Sequence, residues 1–308
     1  MKIYANLHTH STHSDGVYTP AELVRIAKDE GYGAIAVTDH DTVTGYDELK
    51  AECEKLGMES IFGCEFTAYC KEFEYTPHIT AYGFDPEYPE MKEYLRRCSA
   101  TLANETEILF NRGVSDGFIP RGISWNDVLD YNKGISWLCN DHVFRTMKHM
   151  GLASDLDYPD FFKNVFGKRR LEVPHLYEFL PIEELIPLVK AAGGIAFIAH
   201  PGKKVDKIPR FVEYGISGLE VWHSMLSREE YVEALKVALE YGLYISGGTD
   251  HEGLCGGQYA FYADYKTCPF YIPECSMGTT KEFFDEIANR KLMPNREKII
   301  KEYIEEYL

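Results

Sequence analysis

Histidine and aspartate residues are concentrated near the start of the chain, in the stretch HTHSTHSDG. His8 and His10 are separated by one residue, so in an extended strand both side chains point to the same face and could bind one cation. Asp15 follows in the turn 14–16, where its carboxylate could stabilise the turn or add a metal ligand. The spacing of the histidines predicts a metal site at the end of the first strand.

Further potential ligands follow two later apolar runs. His40 lies in VTDHDT, where Asp39 or Asp41 could orient its imidazole ring or cap a helix. Glu65 ends the run FGCE, in a setting where an unpaired buried charge would be costly and where a carboxylate could bridge two cations. His78 opens the next run, PHITAYGF, and could bind on the other side of Glu65.

The second half of the chain repeats the pattern. His200 ends the apolar run IAFIAH, where it could be a hydrogen-bonded core residue or a ligand, and His223 in LEVWHS could orient a ligand. The stretch SGGTDHEG brings Asp250, His251 and Glu252 to the end of the last run. Because these residues together exceed the roughly four ligands that one zinc ion takes, the pattern favours a site for several metal ions.

These side chains need a scaffold that brings strand ends together. Short β-rich runs at residues 3–7, 34–38, 60–65, 78–83, 195–199, 218–222 and 243–247 alternate with amphipathic helices, which predicts an α/β fold of parallel βα units. The carboxyl ends of strands in such folds meet at one face, where active sites lie. Between residues 88 and 185 the rhythm gives way to helical segments, which predicts an inserted helical subdomain capping a barrel formed by residues 1–87 and 186–308.

The composition limits the possible partners. The chain of 308 residues has 32 Lys and Arg against 49 Asp and Glu, a net charge of −17. This charge repels long nucleic acids and anionic membrane surfaces, although bound cations could attract a small anionic substrate. The sequence contains no apolar stretch of about 20 residues and no signal-peptide pattern. We therefore expect a soluble, cytoplasmic protein.

The predicted insert carries basic side chains. His142 in CNDHVFR opens a helix and could complete the metal site from above, and Arg145 follows three residues later on the same helical face. Lys168, Arg169 and Arg170 form the densest basic cluster of the chain. They could clamp a substrate phosphate or form a solvated surface.

The ordered motifs HTHSTHSDG, VTDHDT, GCEF, PHITAYGF, DHVFR, IAHPG, LEVWHS and GGTDHEG resemble those of the PHP (polymerase and histidinol phosphatase) family of metal-dependent phosphoesterases. The resemblance implies a distorted, TIM-barrel-like (β/α)7 barrel that holds two or three divalent cations, of Mn, Fe or Zn with Mg as an alternative. It is strongest to stand-alone members that act on nucleoside bisphosphates, AMP-like monophosphates or short oligonucleotide ends. The implied partner is thus a small phosphorylated substrate.

The resemblance also implies a division of ligands among three metals: His8, His10, Glu65 and Asp250 for the first, Glu65, His78 and His142 for the second, and Asp15, His40 and His200 for the third. The chain departs from the family pattern at two places. The usual final Asp-x-His is Asp250-His251-Glu252, so either His251 or Glu252 would complete the third site. Asn140 replaces an arginine expected two residues before His142, which weakens the phosphate clamp.

The expected reaction is hydrolysis of a phosphomonoester by a metal-activated water, with Arg145 or Lys168 stabilising phosphoryl charge and His223 or His251 protonating the leaving group. Three alternatives remain open from the sequence. They are a histidinol phosphatase, an amidohydrolase-like enzyme acting on C–N bonds, and a metal-binding scaffold without catalysis.

Overall fold

A computed structural model of the chain describes residues 2–167, 179–251 and 277–308, and its described strands form two sheets. The first sheet is parallel and contains β1 (Ala5–Asn6), β2 (Ala34–Ile35) and β3 (Glu59–Ser60). The second contains β4 (Gly63–Thr67), β5 (His78–Tyr82), β6 (Ile195–Ile198), β7 (Gly218–His223) and β8 (Tyr244–Gly248), in that order. The single strand predicted over 60–65 is divided, because the chain changes sheets between β3 and β4.

Strand direction in the second sheet differs from the prediction of parallel units throughout. Strand β5 pairs antiparallel with both β4 and β6, whereas β6, β7 and β8 run parallel. The short connection 68–77 between β4 and β5 contains no helix, and a parallel pair needs a longer crossover. His78 therefore lies at the beginning of its strand and still reaches the same end of the sheet as Glu65.

Backbone hydrogen bonds join the two sheets at both sides. Beside β1 and β8, Leu7 N–H donates to the Gly247 carbonyl (3.1 Å) and Asp250 N–H to the His8 carbonyl (2.9 Å). Beyond β2, Glu65 N–H donates to the Thr38 carbonyl at 3.1 Å. The result is an α/β fold in which the ends of neighbouring strands face one region.

Helices surround the sheets. Several of them belong to the long segment of the chain that connects β5 to β6, called the helical region below. Their bounds are α1 Pro20–Asp29, α2 Tyr46–Leu56, α3 Pro89–Asp116, α4 Trp125–Tyr131, α5 Asn140–His149, α6 Tyr158–Phe161, α7 Ile182–Ala191, α8 Ile208–Tyr214, α9 Arg228–Glu240, α10 Lys281–Asn289 and α11 Arg296–Tyr307. 3-10 turns at Asp155–Asp157 and Gly202–Lys207 lead into α6 and α8, and a π-helix, Phe162–Phe166, follows α6. Capping boxes begin two of these helices, with Thr19 and Glu22 at α1 and Ser227 and Glu230 at α9. Among the described helices, none has the length and apolar character needed to cross a bilayer.

The helical region between β5 and β6 has an apolar core of its own. Leu109, Phe110, Phe144 and Phe166 are buried in a cluster formed only by residues of this region. Helix α3 connects this core to the main one, since residues of its first half, such as Met91, pack in the cluster around the second sheet. The division of the chain at residues 88 and 185 stays a prediction, and this second core is consistent with it.

A buried ion pair fixes the C-terminal helices. Arg296 Nε lies 3.2 Å from Glu286 Oε2, and its guanidinium also donates to the Ala238 and Leu243 carbonyls. We expect Arg296→Ala to lower the free energy of unfolding by about 3 kcal/mol, because it leaves a buried carboxylate without its cation. Urea unfolding measures this loss, and Lys301→Ala on the exposed side of α11 is the control that should change little. Equal stability of the two variants would contradict the prediction.

Candidate metal centre

The strand ends bring together eight potential ligands from separate parts of the sequence. His8 and His10 follow β1, His40 follows β2, Glu65 lies on β4, His78 opens β5, His200 follows β6, His223 ends β7 and Asp250 follows β8. Their side chains approach one another although most are far apart along the chain.

Glu65 lies at the middle of this group. Five imidazole nitrogens lie within 3.3 Å of its carboxylate oxygens: those of His8, His10 and His40 around Oε2, and those of His78 and His200 around Oε1. The side chain is only 1% exposed. A carboxylate whose two oxygens face different sets of nitrogens has the arrangement of a ligand that bridges two cations.

Asp250 adds a second carboxylate to the group around Glu65 Oε2. Its Oδ1 lies 2.9 Å from His10 Nε2 and 3.4 Å from His8 Nε2, and its Oδ2 lies 3.3 Å from His223 Nε2. Ligand atoms of His8, His10, Glu65 and Asp250 all lie within 4.8 Å of one another. Asp250 has a φ of 53°, a left-handed conformation that is unusual for a residue with a side chain and that recurs at functional sites.

Asp15 belongs to a second group, with His10 and His40. Asp15 Oδ2 lies 3.4 Å from His40 Nε2, and Oδ1 lies 3.7 Å from His10 Nδ1. The loop that carries Asp15 is held by Asp39, whose carboxylate accepts hydrogen bonds from the Ser11 backbone and hydroxyl and from the Ser14 hydroxyl. Asp39 thus stabilises the loop.

The polar atoms of this centre fit divalent cations. Within the described residues, these buried atoms have no hydrogen-bond partner: His8 Nε2, both ring nitrogens of His10, His40 Nδ1, Glu65 Oε2 and His223 Nε2. Several approach a carboxylate oxygen closely, but without the alignment of a hydrogen bond. Buried polar atoms without partners are costly, and nitrogen and carboxylate atoms that converge without hydrogen bonding are the donor set of Zn, Mn or Fe sites.

Sequence comparison is consistent with this geometry. Residues 6–139 match the family described as the PHP domain. A 5'-3' exoribonuclease of Haemophilus influenzae is 30% identical over 258 residues, which cover 82% of this chain and 90% of that protein. The chain belongs to the PHP family. The predicted family is therefore confirmed, and the chain is a metal-dependent phosphoesterase.

Two further relatives extend the comparison. A 3',5'-nucleoside bisphosphate phosphatase of Chromobacterium violaceum is 26% identical over 80% of this PHP chain and 86% of its own. A solved structure from Bifidobacterium adolescentis, assigned as a metal-dependent phosphoesterase, superposes with a TM-score of 0.74. It has 25% identity and covers 95% of this chain and 98% of its own. The helical region is thus included in the shared PHP-like architecture.

Charge in the PHP centre is balanced between carboxylates and imidazoles. Burial would lower the pKa of His8, but Glu220, Glu65 and Asp250 outweigh burial and raise it well above its usual value. Burial would likewise raise the pKa of Glu65, yet the surrounding imidazoles hold it well below its usual range. Without metal, His8 is therefore held protonated, and a cation must displace a proton to bind it.

This balance predicts how pH affects the metal-free chain. Burial lowers the pKa of His40, but Asp15 and Glu65 raise it to about 9, against about 6.5 in an unfolded chain. Protonated His40 therefore stabilises the fold fully below about pH 6.5, and this stabilisation is lost as the pH rises through about 9. Urea unfolding of the chain after removal of metal by a chelator should show that the free energy of unfolding falls as the pH rises through this window. The fall should be smaller for His40→Gln. Stability that rises with pH would contradict the prediction.

Glu220 is a carboxylate of this centre that the sequence motifs did not reveal. It is fully buried on β7, and its two oxygens lie 3.0 and 3.1 Å from His8 Nδ1. Oε2 also accepts the His200 backbone N–H at 2.9 Å. A proton on His8 Nδ1 leaves Nε2 free toward Glu65, as in carboxylate–histidine–metal arrangements. The signal in the sequence was an acidic residue between Leu219 and Val221 in an apolar strand.

Several predicted ligands lie elsewhere than the family resemblance implied. His200 faces Glu65 Oε1 together with His78, and it is outside the group of Asp15 and His40. His142 contacts the Thr12 carbonyl and joins none of the potential metal groups among the described residues. Sequence order alone could not give these contacts, because His200 follows a strand that ends among several potential ligands and His142 opens a helix whose docking depends on tertiary packing.

Of the residues predicted to bind phosphate, Arg145 alone lies within the described part of the chain. The Arg145 guanidinium donates to the carbonyls of Ser14 and Gly16. The His251 ring stacks on Tyr18, with ring centroids 5.9 Å apart, and the pKa of His251 is lowered by burial. Lys168, Arg169, Arg170 and Glu252 lie outside the described residues, so their roles stay predictions.

A cavity of about 460 Å³ lies beside the centre, between the sheets and the helical region. Asp15, His40 and His78 line the side toward the metal groups. Trp137 and Phe179 line it as well, and the Trp137 ring stacks near His40 with centroids 5.9 Å apart. The volume is in the range of pockets that hold small organic ligands.

Proposed function

We propose that this enzyme hydrolyses a small nucleotide phosphomonoester, such as an AMP-like monophosphate, a 3',5'-bisphosphonucleoside or the end of a short oligonucleotide. The observation that carries the proposal is the cavity of about 460 Å³, which opens onto Asp15, His40 and His78 and has Trp137 in its wall. A phosphate at the metal groups would leave the rest of a nucleoside in this cavity, where an aromatic ring offers a stacking surface. The name of one relative, a 3',5'-nucleoside bisphosphate phosphatase, agrees with this class, and the exoribonuclease shares with it only a substrate built of nucleotides.

We assign ligands from the distances within the centre. His8, His10, Glu65 and Asp250 would hold one cation, and Glu65 with His78 and His200 a second. Asp15 and His40 would contribute to a third, which Glu252 or His251 would complete. Imidazole and carboxylate ligands together suit Mn, Fe or Zn. Mg is an alternative at the third site if Glu252 adds a second carboxylate to that of Asp15.

The side chains have distinct roles in the proposed reaction. Cations held there would polarise the phosphoryl group and lower the pKa of an attacking water. Glu65 keeps two ligand sets within a few ångströms, and Glu220 orients His8 through its Nδ1. His223 accepts the Met225 N–H on Nδ1 at 3.2 Å, which directs Nε2 toward Asp250. His223 and His251 are the candidates for donating a proton to the leaving oxygen.

We also propose the finer architecture that goes with this function. The hydrogen bonds at both sides of the two sheets support a distorted barrel, and the separate core of the helical region supports an inserted subdomain over residues 88–185. This subdomain would cap the centre and form the outer wall of the substrate cavity.

The substrate class is tested by phosphate release from the purified chain with added Mn²⁺. AMP, adenosine 3',5'-bisphosphate, a 5'-phosphorylated trinucleotide and histidinol phosphate are compared by kcat/KM. We expect at least one nucleotide to exceed histidinol phosphate by more than about tenfold, because the cavity offers stacking contacts worth about 1 kcal/mol or more per ring.

Trp137→Ala separates the cavity from the metal chemistry. It should lower kcat/KM for the nucleotide and leave hydrolysis of a small aryl phosphate nearly unchanged. Preference for histidinol phosphate would contradict the nucleotide proposal, and absence of any turnover would favour a metal-binding scaffold.

A further inference from the structure

Helix α5 contacts the loop of residues 12–16, which carries Asp15, through two side chains. Arg145 Nη1 donates to the Gly16 carbonyl at 2.7 Å, and Nη2 donates to the Ser14 carbonyl at 3.0 Å. His142 Nε2 lies 3.1 Å from the Thr12 carbonyl oxygen. Three carbonyl groups of one short loop are thus bound from a helix about 130 residues later in the sequence.

The His142 ring is fully engaged. Its Nδ1 accepts the Cys139 backbone N–H at 3.1 Å, so the neutral ring carries its proton on Nε2 and donates to Thr12. Burial and the nearby Arg145 guanidinium lower the pKa of His142 well below its usual value, which is consistent with a neutral ring. Neither nitrogen is therefore directed at the Glu65 carboxylate.

Arg145 is directed in the same way. Its Nε donates weakly to the Asp141 carbonyl at 3.3 Å, so all three guanidinium nitrogens have a backbone carbonyl as partner. These contacts use three of the five N–H donors of the guanidinium, so a substrate phosphate could be bound only by the two that remain.

The loop is confined from its other side too. Asp39 accepts hydrogen bonds from Ser11 and Ser14, and the backbone at Gly16 passes so close to His10 that a Cβ atom there would lie 2.1 Å from the His10 carbonyl oxygen. The position of the Asp15 carboxylate, 3.4 Å from His40, therefore depends on contacts both from the segment that follows β2 and from α5.

We propose that His142 and Arg145 are positioning residues, which hold the Asp15 loop in the geometry that the third cation needs. This inference depends on the metal groups of the proposed function, and it assigns to the helical region a role in metal binding as well as in covering the cavity. It differs from the expectation that His142 binds metal and Arg145 binds phosphate.

The test compares Arg145→Ala, Arg145→Lys and His142→Gln with the native chain. Lys148→Ala is the control, since it removes a cation from α5 that pairs with Asp155 and not with the loop. Mn²⁺ binding to the metal-free chain is measured by equilibrium dialysis, together with kcat, KM and inhibition by inorganic phosphate. A melting temperature for each variant identifies any that fail to fold. If Arg145→Ala fails to fold, Arg145→Lys still tests the role of Arg145.

We expect Arg145→Ala to lower the affinity for one of the bound Mn²⁺ ions by about tenfold or more, as for other residues that orient metal ligands. It should lower kcat and leave KM and the inhibition constant for phosphate within about twofold. Arg145→Lys should be intermediate, and His142→Gln should keep the native number of Mn²⁺ ions, since an amide N–H can still donate to Thr12.

Two results would overturn the inference. A tenfold rise in KM and in the phosphate inhibition constant, with Mn²⁺ binding unchanged, would make Arg145 a phosphate ligand. Loss of one Mn²⁺ equivalent in His142→Gln would make His142 a metal ligand. A native chain that binds Mn²⁺ but hydrolyses no nucleotide would contradict the proposed function alone, because the Mn²⁺ comparison does not need turnover.

Discussion

Glu65→Gln is expected to abolish phosphoester hydrolysis, with kcat/KM falling by far more than the roughly 100-fold that is the upper range for residues which only orient a ligand. The carboxylate faces five imidazole nitrogens with two oxygens. Glutamine replaces one oxygen by an NH₂ group, which donates hydrogen bonds and cannot bind a cation. The substitution should therefore remove a shared ligand from two cations at once.

Metal content by mass spectrometry and phosphate release with excess Mn²⁺ measure this result on the same preparation. Glu52→Gln is a matched control, because Glu52 is also largely buried and pairs with Arg25 and Lys55 on the outside of the fold. Its metal content and activity should equal those of the native chain. Full metal content in Glu65→Gln with more than a tenth of native activity would show that Glu65 does not bridge.

After Glu65→Gln, the next-largest effect on metal binding is expected from Glu220→Gln. Its carboxylate binds His8 Nδ1 with both oxygens and also accepts the His200 backbone N–H. Glutamine retains one accepting oxygen and removes the charge that favours a proton on His8 Nδ1. We expect Mn²⁺ affinity to fall about 10- to 100-fold, with kcat recovering partly at high Mn²⁺ and KM nearly unchanged.

Titration of the metal-free variant with Mn²⁺, followed by kinetics at two Mn²⁺ concentrations, checks this expectation. Glu286→Gln is the control, since it replaces another buried glutamate, paired with Arg296 at the C-terminal helices. That variant should lose stability and keep its Mn²⁺ affinity. Native Mn²⁺ affinity in Glu220→Gln would mean that His8 is oriented by the strand alone.

The sequence was sufficient to predict which strand ends carry the potential ligands. The apolar runs fixed the order of strands, and polar residues at their ends pointed to His8, His10, His40, Glu65, His78, His200 and Asp250, all of which the structure brings together. The rule works because side chains at the ends of adjacent strands are held within reach by backbone pairing, whatever the loops do.

The partners of each ligand could not be predicted in the same way. His142 and Arg145 meet carbonyl groups of a loop about 130 residues away, and such contacts depend on how a helix docks. His200 could have faced either Asp15 or Glu65, because the sequence predicts all three near strand ends. The antiparallel placement of β5 decided this, since it put His78 beside His200 near Glu65 Oε1.

The most direct test of a multinuclear centre is the location of Mn²⁺ ions by anomalous X-ray scattering from crystals of the chain grown with Mn²⁺. We predict at least two ions that share Glu65 as a ligand, one bound by His8, His10 and Asp250 and the other by His78 and His200. A single ion, or ions that do not contact Glu65, would contradict the account.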